Sequence, residues 1–467
     1  MSDVRGVDAY RQTSFWLETA ADDLTPRPSV SGDVTVDVAI LGGGFSGLWT
    51  AYHLLRDDPS LDVAIVEREI AGYGASGRNG GWCSPRFPVD PGPLTRTFGV
   101  EQARRTILAL QASVEEIGAF TAREGVDAHY VAGGLLSVAI GEHQLPALRS
   151  TFDIYERLGL GEGNRLLDAC EARTRVAAKG IVGALRTEAG ASVHPGNLVR
   201  GLARAVERLG GTIYEQTAVE GVESAQSPRL VTATGTVHAR KALVVAAEAY
   251  LPGLPSFRRH VLPMSSMIVL TNPLPADVWA EIGWAGHESL SSQSHLKNYL
   301  TRTADGRILY GSRGALYTYG STTPDVTQQS ARFYGWMRDS LCAWFPAVTR
   351  VGFSHQWGGY LGVPRDWMPT VSFDPTARIG QLHGYTGRGV STSHLSGKLL
   401  AGLITGRETG LEGLPLHRTR TRRWEPEPLR WLGVRYVQSA FGRIDRAEQE
   451  GRRAPWDAGL ATYLGEQ

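Results

Sequence analysis

Cysteine is scarce in this chain. Cys83, Cys170 and Cys342 are odd in number, far apart and form no CxxC pair, which argues against a disulfide framework and a zinc site. A reducing cytoplasm is the setting they suit. Lysine occurs only at Lys179, Lys241, Lys297 and Lys398, so the positive charge is almost wholly arginine. Net charge is also small: 48 basic against 47 acidic residues leave +1, with no global field to recruit nucleic acid or an anionic membrane. The most apolar stretch, Val36 to Leu55, is broken by four glycines and ends in RDDP, and the polar start MSDVRGVDAY has no basic-then-apolar signal. No membrane span is expected. His194, His355 and His383 lack ligand-like spacing, so no metal is expected. What remains is a chain of 467 residues, 42% hydrophobic, long enough for two or three domains and for an enzyme.

Residues 1–33 are polar with scattered aromatics (Phe15, Trp16) and read as an arm lying on the surface. From Val34, VTVDVAILGGGFSGLWTAYHLL reads as strand, glycine turn and helix, and LDVAIVE as a second strand, which is a βαβ unit. Residues 101–124 place Ile107, Leu110, Val114, Ile117 and Phe120 at helical spacing, where a second domain is being inserted. HPGNLVRGLARAVERLGGTIYEQTAVEGVE and VHARKALVVAAEAYLPGL read as the first domain resuming. Residues 256–350 are rich in β-formers, then carry a helix around Arg332 to Leu341; RIGQLHGYTGRGVSTSHLSGKLLAGLITG is strand, turn and helix again. No internal repeat or low-complexity segment is evident.

Gly42, Gly44 and Gly47 form GxGxxG between a strand and a helix. The first permits the tight turn, the second admits a pyrophosphate and the third allows close packing at the dipole-positive helix end. Glu67 ends the next strand, where a carboxylate accepts ribose hydroxyls. The pattern does not separate one dinucleotide from another. The glycine-dense run Gly72 to Gly81, with Ser76, Arg78 and Asn79 interspersed, suits a backbone pressed against a flat polar ligand.

With GASGRNGGW (74–82), GALRTEAGASVHPGNL (183–198), GTIYEQTAV (211–219), HQWGGYLGVPRDWMP (355–369) and GYTGRGVSTSHLSGK (384–398), the chain resembles the D-amino-acid-oxidase-like family of FAD oxidoreductases. The resemblance runs from about Phe15 to Trp431 and is strongest to the γ-glutamylputrescine oxidase-like subgroup. It implies an α/β, glutathione-reductase-like fold. The FAD-binding domain would be Rossmann-like (34–90, 192–255 and 351–415), with an inserted antiparallel-sheet substrate domain (91–191 and 256–350), the arm and a helical tail (416–467).

The resemblance also implies roles. Gly42, Gly44, Phe45, Ser46, Gly47 and Glu67 would hold the diphosphate and ribose, with Arg68 and Val219 by the adenine. Gly74, Ala75, Ser76, Arg78, Asn79, Gly80 and Gly81 would line the diphosphate and one ring edge. Gly359 would lie near the ring. Gly384, Thr386, Gly387, Arg388, Gly389 and Val390 would present amides and a helix N-terminus to the pyrimidine carbonyl. Arg388 stands where a histidine is common; it strengthens that stabilisation or faces solvent. Trp82, Tyr250 and Trp357 would wall the reacting centre, although each also suits ordinary core. Arg313 stands where relatives place a lysine thought to help oxygen react. No linking cysteine coincides with the family's positions, so the FAD is expected to be noncovalent.

The implied reaction is hydride transfer from the α-carbon of a small primary or secondary amine to flavin, giving imine or aldehyde and, with oxygen, hydrogen peroxide. The alternatives are a glycine, sarcosine or D-amino-acid oxidase, a dehydrogenase with another acceptor, and a noncatalytic flavoprotein subunit. Two carboxylate clamps of the family are absent, since their positions hold Leu361 and Ser391. An amine with remote polar groups, such as an acylated diamine, is therefore the expected substrate, unless Arg86 or Arg313 has taken over the clamp. Oligomeric state is left open.

Overall fold

Strand Val34–Leu41 is buried along nearly its whole second half, as a central parallel strand must be. The computed structural model describes residues 5–224, 227–294, 296–312, 317–326 and 331–465. In it Val34–Leu41 lies between Val63–Val66 and Gly235–Val245, parallel to both. Thr212–Tyr214 and Ile379–His383 extend the parallel run, and Thr370–Asp374 closes one edge antiparallel. Helix Phe45–Asp57 packs on one face of this sheet with helices Pro195–Arg208 and Gly389–Thr405. The approach is close: a Cβ on Gly397 would stand 2.8 Å from the Thr50 amide nitrogen.

The second sheet has eight strands, in the order Phe353–Val363, Leu262–Thr271, Ile308–Ser312, Asn298–Arg302, Ser289–Ser292, Leu135–Ile140, Ile181–Thr187 and Asn164–Leu167. All neighbours are antiparallel except Ser289–Ser292 with Leu135–Ile140, which brings the two inserted segments together. Two expectations change here. Residues 353–363 belong to this sheet, not to the cofactor domain, because the strand pairs along its length with Leu262–Thr271. The helix expected over 101–124 begins at Pro91 and runs to Arg123, broken at Gly99, whose φ is +84°.

The N-terminal arm is not a surface strap. Tyr10, Phe15, Trp16, Leu17 and Leu24 are buried. Trp16 packs edge-on against Trp357 and donates its indole N–H to the Asn79 carbonyl, while Asp22 pairs with Arg200 and Arg204. An arm with this many large apolar groups finds less water-exposed area by wedging between the two sheets. The tail carries helices Leu429–Gln449 and Ala458–Gly465, packed on each other. Among the described residues, no helix is long and apolar enough to cross a membrane and no cluster suits a metal ion.

Candidate active site

One continuous cavity of about 710 Å³ runs from the glycine turn of the first sheet to the inner face of the second. At its first end the three glycines have separable reasons. Gly42 has φ +107°, and a Cβ on it would meet the Ala246 carbonyl at 2.6 Å. Gly44 caps helix Phe45–Asp57 and lines the cavity with Phe45 and Ser46, so the helix N-terminus opens there. Gly47 does not line the cavity; a Cβ on it would stand 2.1 Å from the Gly42 carbonyl oxygen. Glu67 faces the cavity while accepting the Gly43 and Glu69 amides at 2.8 and 3.0 Å. Burial raises its carboxyl against those two donations. Arg68 lies over the Tyr250 ring, and half-buried Val219 lines the same end.

The glycine-dense loop is a fixed wall. Asn79 donates to the Ala75 and Ser76 carbonyls and accepts from Gly81, Ser76 accepts the Phe45 amide, and Arg78 bonds the Tyr73 carbonyl while stacking on its ring. Gly80 has no room for a side chain because the Tyr299 ring lies 2.2 Å from where a Cβ would be. Gly74, Ala75, Ser76, Arg78, Asn79 and Gly80 line the cavity, as does Gly359 from the second sheet; Gly81, at φ +75° against the Val193 carbonyl, supports them from behind.

The C-terminal turn presents Gly387, Arg388, Gly389 and Val390 to the cavity at the start of helix Gly389–Thr405. Gly384 and Thr386 stand behind it at positive φ, and the Gly384 amide is already taken: it donates at 2.7 Å to Glu248. The Glu248 carboxylate also accepts from Tyr385 and Gly362, joining the ends of three strands. Burial pushes its carboxyl up to about 7 despite the three amides. Arg388 lines the cavity and does not simply face solvent. It donates to the Phe87 carbonyl and pairs with Asp90 at 2.8 Å, tying down the segment that enters helix Pro91–Arg123. Burial disfavours the Asp90 charge, yet Arg388 beside it brings the carboxyl down to about 2.

The same cavity is lined further on by Trp82, Tyr155, Tyr299 and Arg86, whereas Tyr250, expected at the reacting centre, lies at the first end against Arg68 and Gly74. The Trp82 indole donates to the Leu300 carbonyl, which fixes the ring. Trp357 is not part of this wall. It sits in a core cluster with Phe15, Trp16, Ile268, Leu270 and Leu309, because the arm covers that end of its strand. Arg313 lies outside the described residues. Sequence reasoning missed Glu248, Tyr155, Tyr299, Ser137 and Ser291; only the AxAY spelling around Glu248, an acid inside an apolar run, offered a signal.

A family model described as FAD dependent oxidoreductase (DAO) matches residues 37–403. The chain is 31% identical over 396 residues to gamma-glutamylputrescine oxidoreductase of Escherichia coli (strain K12), covering 84% of this chain and 89% of that protein. Among solved structures it is similar to glycine oxidase from Geobacillus kaustophilus, with TM-score 0.67 and 24% identity over 83% of this chain and all of that one. L-proline dehydrogenase from P.horikoshii follows with TM-score 0.65 and 18% identity over 82% of this chain and 96% of that one.

Proposed function

From the premise that this chain belongs to the DAO family of FAD-dependent oxidoreductases, which act on the CH–NH groups of amines and amino acids, we propose that it oxidises a small primary or secondary amine. The products are the imine, then aldehyde, and hydrogen peroxide. The observation that carries this reading is the single cavity joining a dinucleotide-shaped cleft to an aromatic chamber. The cleft fits FAD: a side-chain-free turn at Gly42 and Gly44, an open helix N-terminus, and the inward carboxylate of Glu67 at the distance of one strand.

Bound FAD supplies one chemistry here, acceptance of a hydride from the carbon next to nitrogen. The chain's own residues supply the surroundings. Glu67 would hold the ribose, the Gly44 and Ser46 amides the diphosphate, Val219 and Arg68 would flank the adenine, and Asn79, Gly80 and Gly359 would line the flavin. The Gly387–Val390 helix start sets a positive potential where negative charge collects. Trp82 and Tyr299 orient the amine and exclude water. Among the described residues, no cysteine or histidine lines the cavity, which supports a noncovalent cofactor. That the E. coli relative is named for γ-glutamylputrescine supports an acylated diamine, with the polar groups far from the reacting carbon.

An anaerobic screen of amines and amino acids, followed by air, tests the proposal. Bleaching of the flavin by an amine and rapid return of colour in air are expected. Slow return would make the protein a dehydrogenase with another acceptor, and no bleaching by any amine would sink the reading.

A further inference from the structure

Besides Glu67, a second acid lines the cofactor end of the cavity, and its carboxylate is shared by both sheets. Glu248 follows strand Gly235–Val245, two residues beyond the Ala246 carbonyl that stands against the Gly42 turn. Its backbone has φ +44°, a left-handed conformation that few residues other than glycine and asparagine adopt. The carboxylate accepts three amides, from Gly384 at 2.7 Å, Gly362 at 3.2 Å and Tyr385 at 3.3 Å. Gly384 and Tyr385 open the C-terminal cofactor turn, and Gly362 belongs to strand Phe353–Val363 of the second sheet. The Tyr385 hydroxyl in turn accepts from Ser46 at 2.9 Å, on the helix whose start faces the cavity. Among the described residues no arginine or lysine pairs with Glu248, so amides alone oppose the burial of its charge. The titratable side chain facing it is Tyr385, raised by burial and by Glu248. Apart from burial, Tyr250 on its own segment is influenced by Arg78, Tyr73, Arg68 and Glu67, Tyr360 by Tyr250, Asp325 and Arg78, and His383 by His260 and Arg418. Strand Leu262–Thr271 brings no titratable group.

We propose that Glu248 is a positioning residue of the cofactor cleft that works as a neutral acid: FAD is taken up together with a proton on Glu248, and is held more weakly as the medium turns alkaline. The inference goes beyond the amine-oxidising reading and rests on the cofactor cleft alone. A diphosphate is an anion, and a buried carboxylate sharing its cleft repels it with little screening. Protonation removes that repulsion, leaves acceptor capacity for the amides and adds one O–H donor for an oxygen of the guest. Without cofactor, burial against the three amides brings the carboxyl to about 7. A bound anion holds the proton more tightly still, so affinity is full below about pH 7 and falls above it, by up to about tenfold per pH unit for one proton. Glu67, raised by burial, acts in the opposite sense, because ribose hydroxyls donating to it favour its charged form. The direction of the pH dependence therefore separates the two acids.

To test this, FAD-loaded full-length protein is diluted through its dissociation range at a series of pH values, and released flavin is read by fluorescence. The parent should hold FAD at least about fivefold more weakly at about pH 8.5 than at about pH 6.5, whereas Glu248→Gln, which cannot ionise, should vary by less than about twofold. A parent that does not weaken, or a Gln variant that weakens alongside it, would overturn the proposal; a merely structural tie changes affinity by one factor at every pH. The proton is sought directly by infrared spectroscopy of the loaded protein at about pH 8. The carbonyl stretch of a protonated carboxyl should be present in the parent and missing from Glu248→Gln, and identical spectra would overturn the neutral acid. Should Glu248→Gln fail to hold FAD, Glu248→Asp takes its place: it keeps a titrating carboxyl, so its affinity must still fall with pH, and a flat profile would again overturn the assignment.

Discussion

Replacing Gly47 by alanine puts a methyl carbon 2.1 Å from the Gly42 carbonyl oxygen and 3.1 Å from Ile40 Cγ2. The first contact is short of ordinary separation by about 1.3 Å, and the obstructing atom is backbone. Gly42 cannot retreat freely, because its amide donates to the Val66 carbonyl and the Ala246 carbonyl lies where its Cβ would be. Helix Phe45–Asp57 must therefore move outward, against helix Gly389–Thr405, which touches it through Gly397. Overpacking of this kind costs about 1–3 kcal/mol. Because the displaced amides are those facing the diphosphate, most of that cost should appear in cofactor affinity, as a loss of roughly 5- to 150-fold. The assay is fluorescence titration of flavin-stripped protein with FAD, with Gly442→Ala as control, since a Cβ at Gly442 meets nothing within 4 Å. The control should bind FAD like the parent and be slightly more stable. A Gly47→Ala protein that binds FAD as tightly as the control would refute the packing argument.

Glu248 gives a pH prediction: its carboxyl, raised from 4.5 to about 7, holds a proton more tightly folded than unfolded. Stability from this group is therefore full below about 4.5 and lost as pH rises through about 7, by up to about 3 kcal/mol. Glu248→Gln should remove that loss, so its Tm should gain on the parent's between about pH 5 and about pH 8, and a pH-independent gap would count against it. Trp357→Phe should cost about 1 kcal/mol of stability through the lost bond to the Arg78 carbonyl but leave KM within twofold, whereas Trp82→Phe should change KM; steady-state kinetics on both would show the reverse if Trp357 were a chamber wall. Acid unfolding and filtration should leave no flavin on the polypeptide, since among the described residues neither cysteine nor histidine lines the cavity. Activity on an amine should rise with pH as the substrate ammonium loses its proton, and a flat profile would contradict hydride loss from the free amine.

The cofactor half of the site was legible because its parts are close in sequence. Gly42, Gly44, Gly47 and Glu67 belong to one βαβ unit, and Asn79, Ser76 and Gly81 bond within their own loop, so residue type and spacing carry the geometry. The chamber was not legible in the same way. Arg86 meets Ser137 and Ser291 only because two inserted segments pair in parallel, a register that no local pattern announces. Trp357 was misplaced for a related reason: whether an aromatic on that strand faces substrate or core depends on Phe15 and Trp16, more than 300 residues away in sequence. Arg388 was read from family position alone, and its partner Asp90 is visible only once the chain has folded back.

The buried arm has a consequence for how the protein is made. Residues that leave the ribosome first find their partners late: Thr19 meets His194, 175 positions on, and Glu18 meets His355, 337 positions on. At a synthesis rate of about 5–20 residues per second, Phe15 and Trp16 wait roughly 17–67 s before the strand that covers them exists. During that interval the nascent chain displays its most apolar N-terminal side chains to solvent. Yield should thus depend on holding chaperones more than on the final stability, and a bulky N-terminal fusion that screens the arm should help translation products survive while hindering the last closure.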